Sequence, residues 1–240
     1  MKIIGKIQAG RDLHAQVYVA SLGDLKVAVK IYQTSWTPPG SISLLSDNAV
    51  NLIDQPEASD ENLQLFHREH WAYKRMLPIQ GVVVPHVHGF FEVSLPHGEP
   101  AIALVLEYIP AMHPKSYVTV IGKKNEDGIG RLGSELALAV HAIHSCDVDT
   151  LDLSSRNVLL PNDDPASPIL IDFAVCTSLR NSVLHLSVPN IVRTLCDIGF
   201  SQDIIIQWMR ERLTESAVWR ELFDVPSDDW DWVEQQMLHH

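Results

Sequence analysis

The sequence predicts an α+β protein in two lobes, a β-rich one with a single helix followed by a mostly helical one that contains a hairpin. Three observations predict it. Apolar and polar residues alternate through residues 3–33, as in strands. One stretch after residue 59 carries apolar residues at intervals of three and four. Beyond Pro110 the helical spacing takes over.

Taken in order, Ile3, Ile7, Val17, Val19, Leu25, Val27, Val29 and Ile31 alternate between turn signals at Ala9-Gly10-Arg11-Asp12 and Leu22-Gly23-Asp24, which predicts three antiparallel strands. Pro38, Pro39, Gly40 and Pro56 among serines and asparagines make about 35–59 a long loop or insertion. A helix is expected from Ser59 or Asp60, burying Leu63, Phe66, His70, Tyr73 and Leu77, and closed by Pro78. Two strands follow, Val82 to Val93 broken at Pro85 and Ala101 to Ile109, with Pro96-His97-Gly98-Glu99 as their turn. The first domain, a five-stranded sheet plus helix, is thus placed at 1–109 and the second at 110–240. In the second, Leu132, Leu136, Val140 and Ile143 mark a helix over Ile129 to His144. Val158 to Leu160 and Ile169 to Ile171, joined by Asn162-Asp163-Asp164-Pro165, suit a hairpin, and the remainder reads as mostly helix with Trp208, Trp219, Trp230 and Trp232 as packing anchors.

Composition limits the function. The chain has 240 residues, 46% of them hydrophobic, enough for two small cores. A net charge of −12 and the absence of a basic stripe argue against a nucleic-acid partner. No apolar run long enough for a membrane span appears, and Lys2, Lys6, Arg11, Asp12 and His14 interrupt any leader, so a cytoplasmic protein is expected. Cys146, Cys176 and Cys196 lack paired spacing and read as small core residues. His86 and His88 share a strand face, but nothing completes a ligand set around them.

Four segments carry polar residues whose order suggests chemistry. In Val27-Ala28-Val29-Lys30 the strand alternation puts Ala28 and Lys30 on one face, and a lysine at the end of a buried strand calls for an anion. Glu69 lies on the helix near its inward edge. In Asp152-Leu153-Ser154-Ser155-Arg156-Asn157 an aspartate opens a loop, an asparagine follows, and an apolar strand begins at once. In Ile169-Leu170-Ile171-Asp172-Phe173-Ala174 an apolar strand delivers an aspartate at its end.

Together these segments resemble the protein-kinase-like superfamily, including small-molecule kinases of the aminoglycoside and choline type, over residues 3–175. The resemblance implies ATP and magnesium. Lys30, held by Glu69, would contact the α- and β-phosphates, Asp172 and Asn157 would hold the metal, and Asp152 would orient the attacking hydroxyl and accept its proton. Gly10 would let the backbone approach the phosphates closely, and Val17 and Ala28 would cover the adenine. The segment Leu104 to Ile109, with Glu107 and Ile109, resembles the linker whose backbone binds the adenine edge.

Several positions depart from the family pattern. Gly10 stands alone where two or three glycines are usual, Thr150 and Leu151 precede Asp152 in place of histidine and arginine or glycine, Ser154 replaces a lysine, and Ala174 replaces the glycine after Phe173. No Ala-Pro-Glu segment follows Asp172, so a platform for protein substrates is not expected, and Arg193, Arg210 and Arg212 read as solvated helix positions. The expected function is therefore phosphate transfer to a hydroxyl of a small molecule. The alternatives are a pseudokinase, binding nucleotide or a protein partner without transfer, and a kinase fold reused for other metabolite chemistry.

Overall fold

The computed structural model describes residues 1–9, 13–33, 61–179 and 187–215. Gly10, the 35–59 insertion, the start of the first helix, and Trp219, Trp230 and Trp232 lie outside the described residues. The strands are β1 (Lys2–Gln8), β2 (Ala15–Leu22), β3 (Leu25–Gln33), β4 (Val87–Ser94), β5 (Pro100–Glu107), β6 (Ala111–Met112), β7 (Asp149–Thr150), β8 (Val158–Pro161), β9 (Ile169–Leu170) and β10 (Cys176–Thr177). The helices are α1 (Glu61–Arg75), α2 (Pro114–Ile121), α3 (Glu126–Ser145), α4 (Ser187–Ile198) and α5 (Gln202–Glu215). They gather into two compact units: Met1–Ile109 with Asp147–Leu151 and Asp172–Asn181, and Pro110–Cys146 with Asp152–Ile171 and Ser182–His240.

In the first unit β1 to β5 form one antiparallel sheet in the order β1-β2-β3-β5-β4. The register of β2 on β3 is set by the turn, where Leu22 pairs with Leu25 and Gly23 adopts a φ of 63°. A two-residue hairpin needs such a left-handed residue, and glycine supplies it without a Cβ penalty. Alternation then sorts β3 into two faces. Val27 and Val29 join Ala20, Ala103 and Val105 in one buried cluster, while Tyr32 packs with Leu65 and Phe66 of α1 in another.

Helix α1 buries Phe66 and Tyr73 of the expected stripe together with residues outside it. Its inward residues are Asn62, Leu65, Phe66, Glu69, Ala72 and Tyr73, with Met76 just beyond it, whereas Leu77 is 67% exposed. Polar Asn62 and Glu69 interrupt the apolar pattern on the buried side, and each is satisfied there. Asn62 donates to the Gln33 carbonyl at 2.9 Å and meets His14 at 3.0 Å.

The expected strand from Val82 begins only at Val87. Gly81, with a φ of 76°, turns the chain so that its N–H reaches the Val84 carbonyl at 2.8 Å, and the β-branched run before Pro85 lies in that turn. Gln80 makes the connection firm, donating to the Tyr73 carbonyl at the end of α1 and accepting from the Val87 amide at the start of β4, both at 2.9 Å. Strand β5 likewise stops at Glu107, short of Ile109. The short β7 and β10 pair with each other, and the Cys176 thiol donates to the Arg68 carbonyl of α1. Burial pushes that thiol well up, consistent with a packed core cysteine; Cys146 and Cys196 are only half-buried.

In the second unit β6, β8 and β9 form a small sheet, with Val158 opposite Leu170 as the hairpin pattern requires. Helix α3 starts at the Asn125 cap, whose side chain accepts from the Gly128 amide at 2.6 Å, and buries Ile129, Leu132, Leu136, Val140 and Ile143. Trp208 of α5 lies buried across this helix, as expected of a packing anchor. A Cβ on Gly133 would stand 2.7 Å from Trp208 Cη2, whereas one on Gly130 would stand 3.8 Å from Cδ1. In a helix interior alanine is favoured over glycine by about 1 kcal/mol. Gly130→Ala should therefore raise stability by several tenths of a kcal/mol or more, while Gly133→Ala, which drives a rigid indole off its seat, should lower it by about 1–3 kcal/mol. Urea denaturation of the two variants checks the opposite signs.

Candidate active site

Within the first unit, three segments meet at Lys30. Strand β3 presents it on the same face as Ala28 and Tyr32, opposite Val17 of β2 and Leu104 of β5 in the register. Its Nζ lies 3.0 Å from Glu69 Oε2 on α1 and 2.6 Å from Asp172 Oδ1, a residue 142 positions further on. Lys30 and Glu69 are buried, at 8% and 1% exposure, whereas the Asp172 side chain is 42% exposed. Glu69 also accepts from the Tyr32 hydroxyl and, at 3.2 Å, from the Phe173 amide. Two carboxylates, from α1 and the segment after β9, thus hold one ammonium, and two donors hold the first of them.

The electrostatics follow from burial opposed by pairing. Burial alone would push the Lys30 ammonium down, but the carboxylates of Asp172 and Glu69 outweigh it and hold its pKa above the ordinary lysine value. Burial raises the Glu69 carboxyl above its ordinary value, with Lys30 and the Tyr32 hydroxyl pulling the other way. Burial, with Glu69 next, raises the Tyr32 phenol far above its usual range, so it stays a donor. Asp172 adopts a left-handed φ of 64°, a conformation that costs about 1–3 kcal/mol unless its surroundings impose it. The surroundings here are the Lys30 contact and the Phe173 ring, buried edge-on against Tyr73 at 5.4 Å.

The second unit holds a second arrangement. Asn157 Nδ2 donates to both the backbone carbonyl of Asp152, at 2.8 Å, and its carboxylate, at 3.0 Å. The Asn157 amide is bonded to the Ser154 carbonyl at 2.9 Å and its carbonyl receives the Ile171 amide at 2.9 Å, so β8 and β9 hold the loop. Helix α4 holds it as well: the Thr194 hydroxyl and the Arg193 guanidinium both donate to the Leu153 carbonyl at 3.2 Å. Asp152, Ser154, Ser155, Arg156, Arg193, Asp197 and Lys115 line a pocket of about 440 Å³.

No family model and no curated protein matches the sequence. Among solved structures 1864 chains match, one of them WaaP in complex with acyl carrier protein. That match has a TM-score of 0.57 and 16% sequence identity, and covers 99% of this chain and 89% of that chain. The fold is protein-kinase-like. At such identity the likeness speaks for fold and not for activity.

In this kinase-like fold the structure joins Lys30, Glu69 and Asp172 within one unit, and Asp152 with Asn157 within the other. Val17 and Ala28 lie on the Lys30 face of the sheet, Glu107 ends β5 with Ile109 beyond it, and Gly10 is outside the described residues. Three contributors were missed from the sequence. Tyr32 was signalled by sharing the strand face of Lys30; Arg193 and Lys115 carried no local signal. Arg193 is exposed, as read from the sequence, and it also bonds the loop after Asp152 and lines its pocket, because α4 packs on that loop. The Asp172 carboxylate and the Asn157 side-chain oxygen are hard donors of the kind magnesium takes, one or two at a time, alongside phosphate and water. Among the described residues no cluster of three or more His, Cys, Asp or Glu forms a cage for a metal.

Proposed function

We propose that the chain is an ATP- and magnesium-dependent phosphotransferase acting on a hydroxyl of a small molecule. The observation that carries this reading is the buried Lys30 held by Glu69 and Asp172 together, from three segments remote in sequence. A buried ion cluster of this kind is costly as a device for stability and is better explained by what it positions. Lys30 would meet the α- and β-phosphates, with Val17 and Ala28 above the adenine and the backbone of Glu107 and Ile109 at its edge. Gly10 would let the backbone approach the phosphates closely.

Asp172 and Asn157 would hold the magnesium, which when bound draws charge off the phosphate oxygens. Asp152 would orient the acceptor hydroxyl and take its proton; one Asn157 bond steadies its carboxylate and the other its backbone for that task. Transfer in such a site is mostly positioning and charge neutralisation, and these residues supply both.

Among the described residues no helix is long and apolar enough to cross a membrane. WaaP was solved with a protein partner, which supports a place for one in a reading without transfer. Incubation with γ-labelled ATP, magnesium and a panel of polyols, sugars and amino alcohols decides between them. The expected result is label on an acceptor, abolished by EDTA and by Asp172→Ala. Magnesium-dependent ATP binding with no transfer to any acceptor or to water would make the chain a pseudokinase. Turnover of a metabolite in EDTA without nucleotide would mean a fold reused for other chemistry.

A further inference from the structure

The pocket beside Asp152 opposes the charge of the whole protein. The chain carries −12, yet this wall sets three cations, Lys115, Arg156 and Arg193, against two carboxylates, Asp152 and Asp197. Every lining residue is polar or charged. A surplus of positive charge gathered in a concave wall of an acidic protein focuses a field that draws anions.

A second observation is independent of charge. The Ser154 hydroxyl, on a residue only 8% exposed, has no hydrogen-bond partner, although buried hydroxyls nearly always have one. The residue lines this same pocket, with the Oγ itself packed just behind the wall. Arg193 is also held in advance: its Nη2 donates to the Leu153 carbonyl at 3.2 Å, which leaves the rest of the guanidinium fork directed by that anchor.

We propose that this pocket binds a phosphate group carried by the acceptor, so that the substrate is a phosphorylated hydroxyl compound. Three cations and the Ser155 hydroxyl offer more donors than the two oxygens of a carboxylate accept, and they suit the three oxygens of a phosphate monoester. The assignment to an acceptor rests on the phosphotransferase reading; the anion site does not.

The test is calorimetric titration of the full chain with inorganic phosphate, without nucleotide or magnesium, at constant ionic strength, with acetate as the comparison anion. Phosphate should bind and acetate bind more weakly. The dissociation constant for phosphate should rise on the order of tenfold in Arg193→Gln and in Lys115→Gln, the loss expected of one charge-assisted hydrogen bond. Lys115→Gln and Arg156→Gln guard against a folding defect in Arg193→Gln, which also loses the Leu153 bond. Asp172→Asn, at a residue whose side chain is 42% exposed, should leave phosphate affinity unchanged.

No phosphate binding, binding indifferent to the three cation variants, or binding lost in Asp172→Asn would each overturn the site. Phosphate binding in a protein that binds no magnesium-ATP would keep the site and overturn the phosphotransferase reading alone. Cosedimentation with phosphatidic acid vesicles but not phosphatidylcholine vesicles, weakened by the same variants, would assign the phosphate to a lipid headgroup; its absence would assign it to a free metabolite.

Discussion

Lys30→Met is expected to destabilise the protein by about 3–5 kcal/mol near neutral pH, the usual consequence of removing one partner from a buried ion pair. Methionine matches the stem of lysine, so little packing is lost. What remains is the Glu69 carboxylate at 1% exposure, with only Tyr32 and the Phe173 amide to solvate it. Asp172, far more exposed, adds little to the loss because water screens it.

The pH dependence distinguishes this cause from a packing defect. The folded pKa of Glu69 is raised above its ordinary 4.5, so between that value and the raised one the native state holds more protons than the unfolded chain. Stability from this group is present at low pH and falls as pH rises through the window. Lys30 is among the groups that lower Glu69, so its removal carries the window to higher pH. The deficit of Lys30→Met should therefore be smaller at pH 5.5 than at pH 8, by urea denaturation at both. Lys30 itself is raised above 10.5, so its own contribution persists below that pH and is lost only as pH climbs through its folded pKa. Adding Glu69→Gln to Lys30→Met should recover much of the loss at pH 8, since a neutral amide still bonds Tyr32.

Asp152→Asn should leave the fold and nucleotide affinity nearly intact while lowering phosphate transfer by about 10²- to 10⁴-fold, the range for removing a general base. Asparagine keeps the shape and still offers Asn157 an oxygen, and the 2.8 Å bond to the backbone carbonyl is untouched. Stability should change by less than about 0.5 kcal/mol. Single-turnover transfer from labelled ATP, beside a melting curve for each protein, checks both halves; a large fall in melting temperature would recast Asp152 as a structural residue.

Local patterns made much of this legible. Alternation through β1 to β3 and the Gly23 turn set the sheet register, and that register placed Lys30 and Ala28 on one face. The hairpin of β8 and β9 was readable because apolar runs flank a turn-rich segment. In α1 the burial of Phe66 and Tyr73 and the inward place of Glu69 were readable, but the burial of Asn62 was not, because it depends on Gln33 and His14, which no helical period encodes. The run Val82 to Val84 looked like a strand from its β-branched residues, but Gly81 and Pro85 make it a turn. Strands β7 and β10, two residues each, are too short to show a period. Arg193 was unreadable for a different reason: its role comes from the packing of α4 on the Asp152 loop, a tertiary contact without a local signature.

The central claim is that Lys30 and Asp172 hold a nucleotide and its metal. Titration calorimetry of the full chain with a non-hydrolysable ATP analogue tests it most directly. Binding with magnesium, lost on chelation and lost in Asp172→Asn, is the result this account predicts; no heat at millimolar nucleotide, or binding indifferent to both magnesium and Asp172, would contradict it.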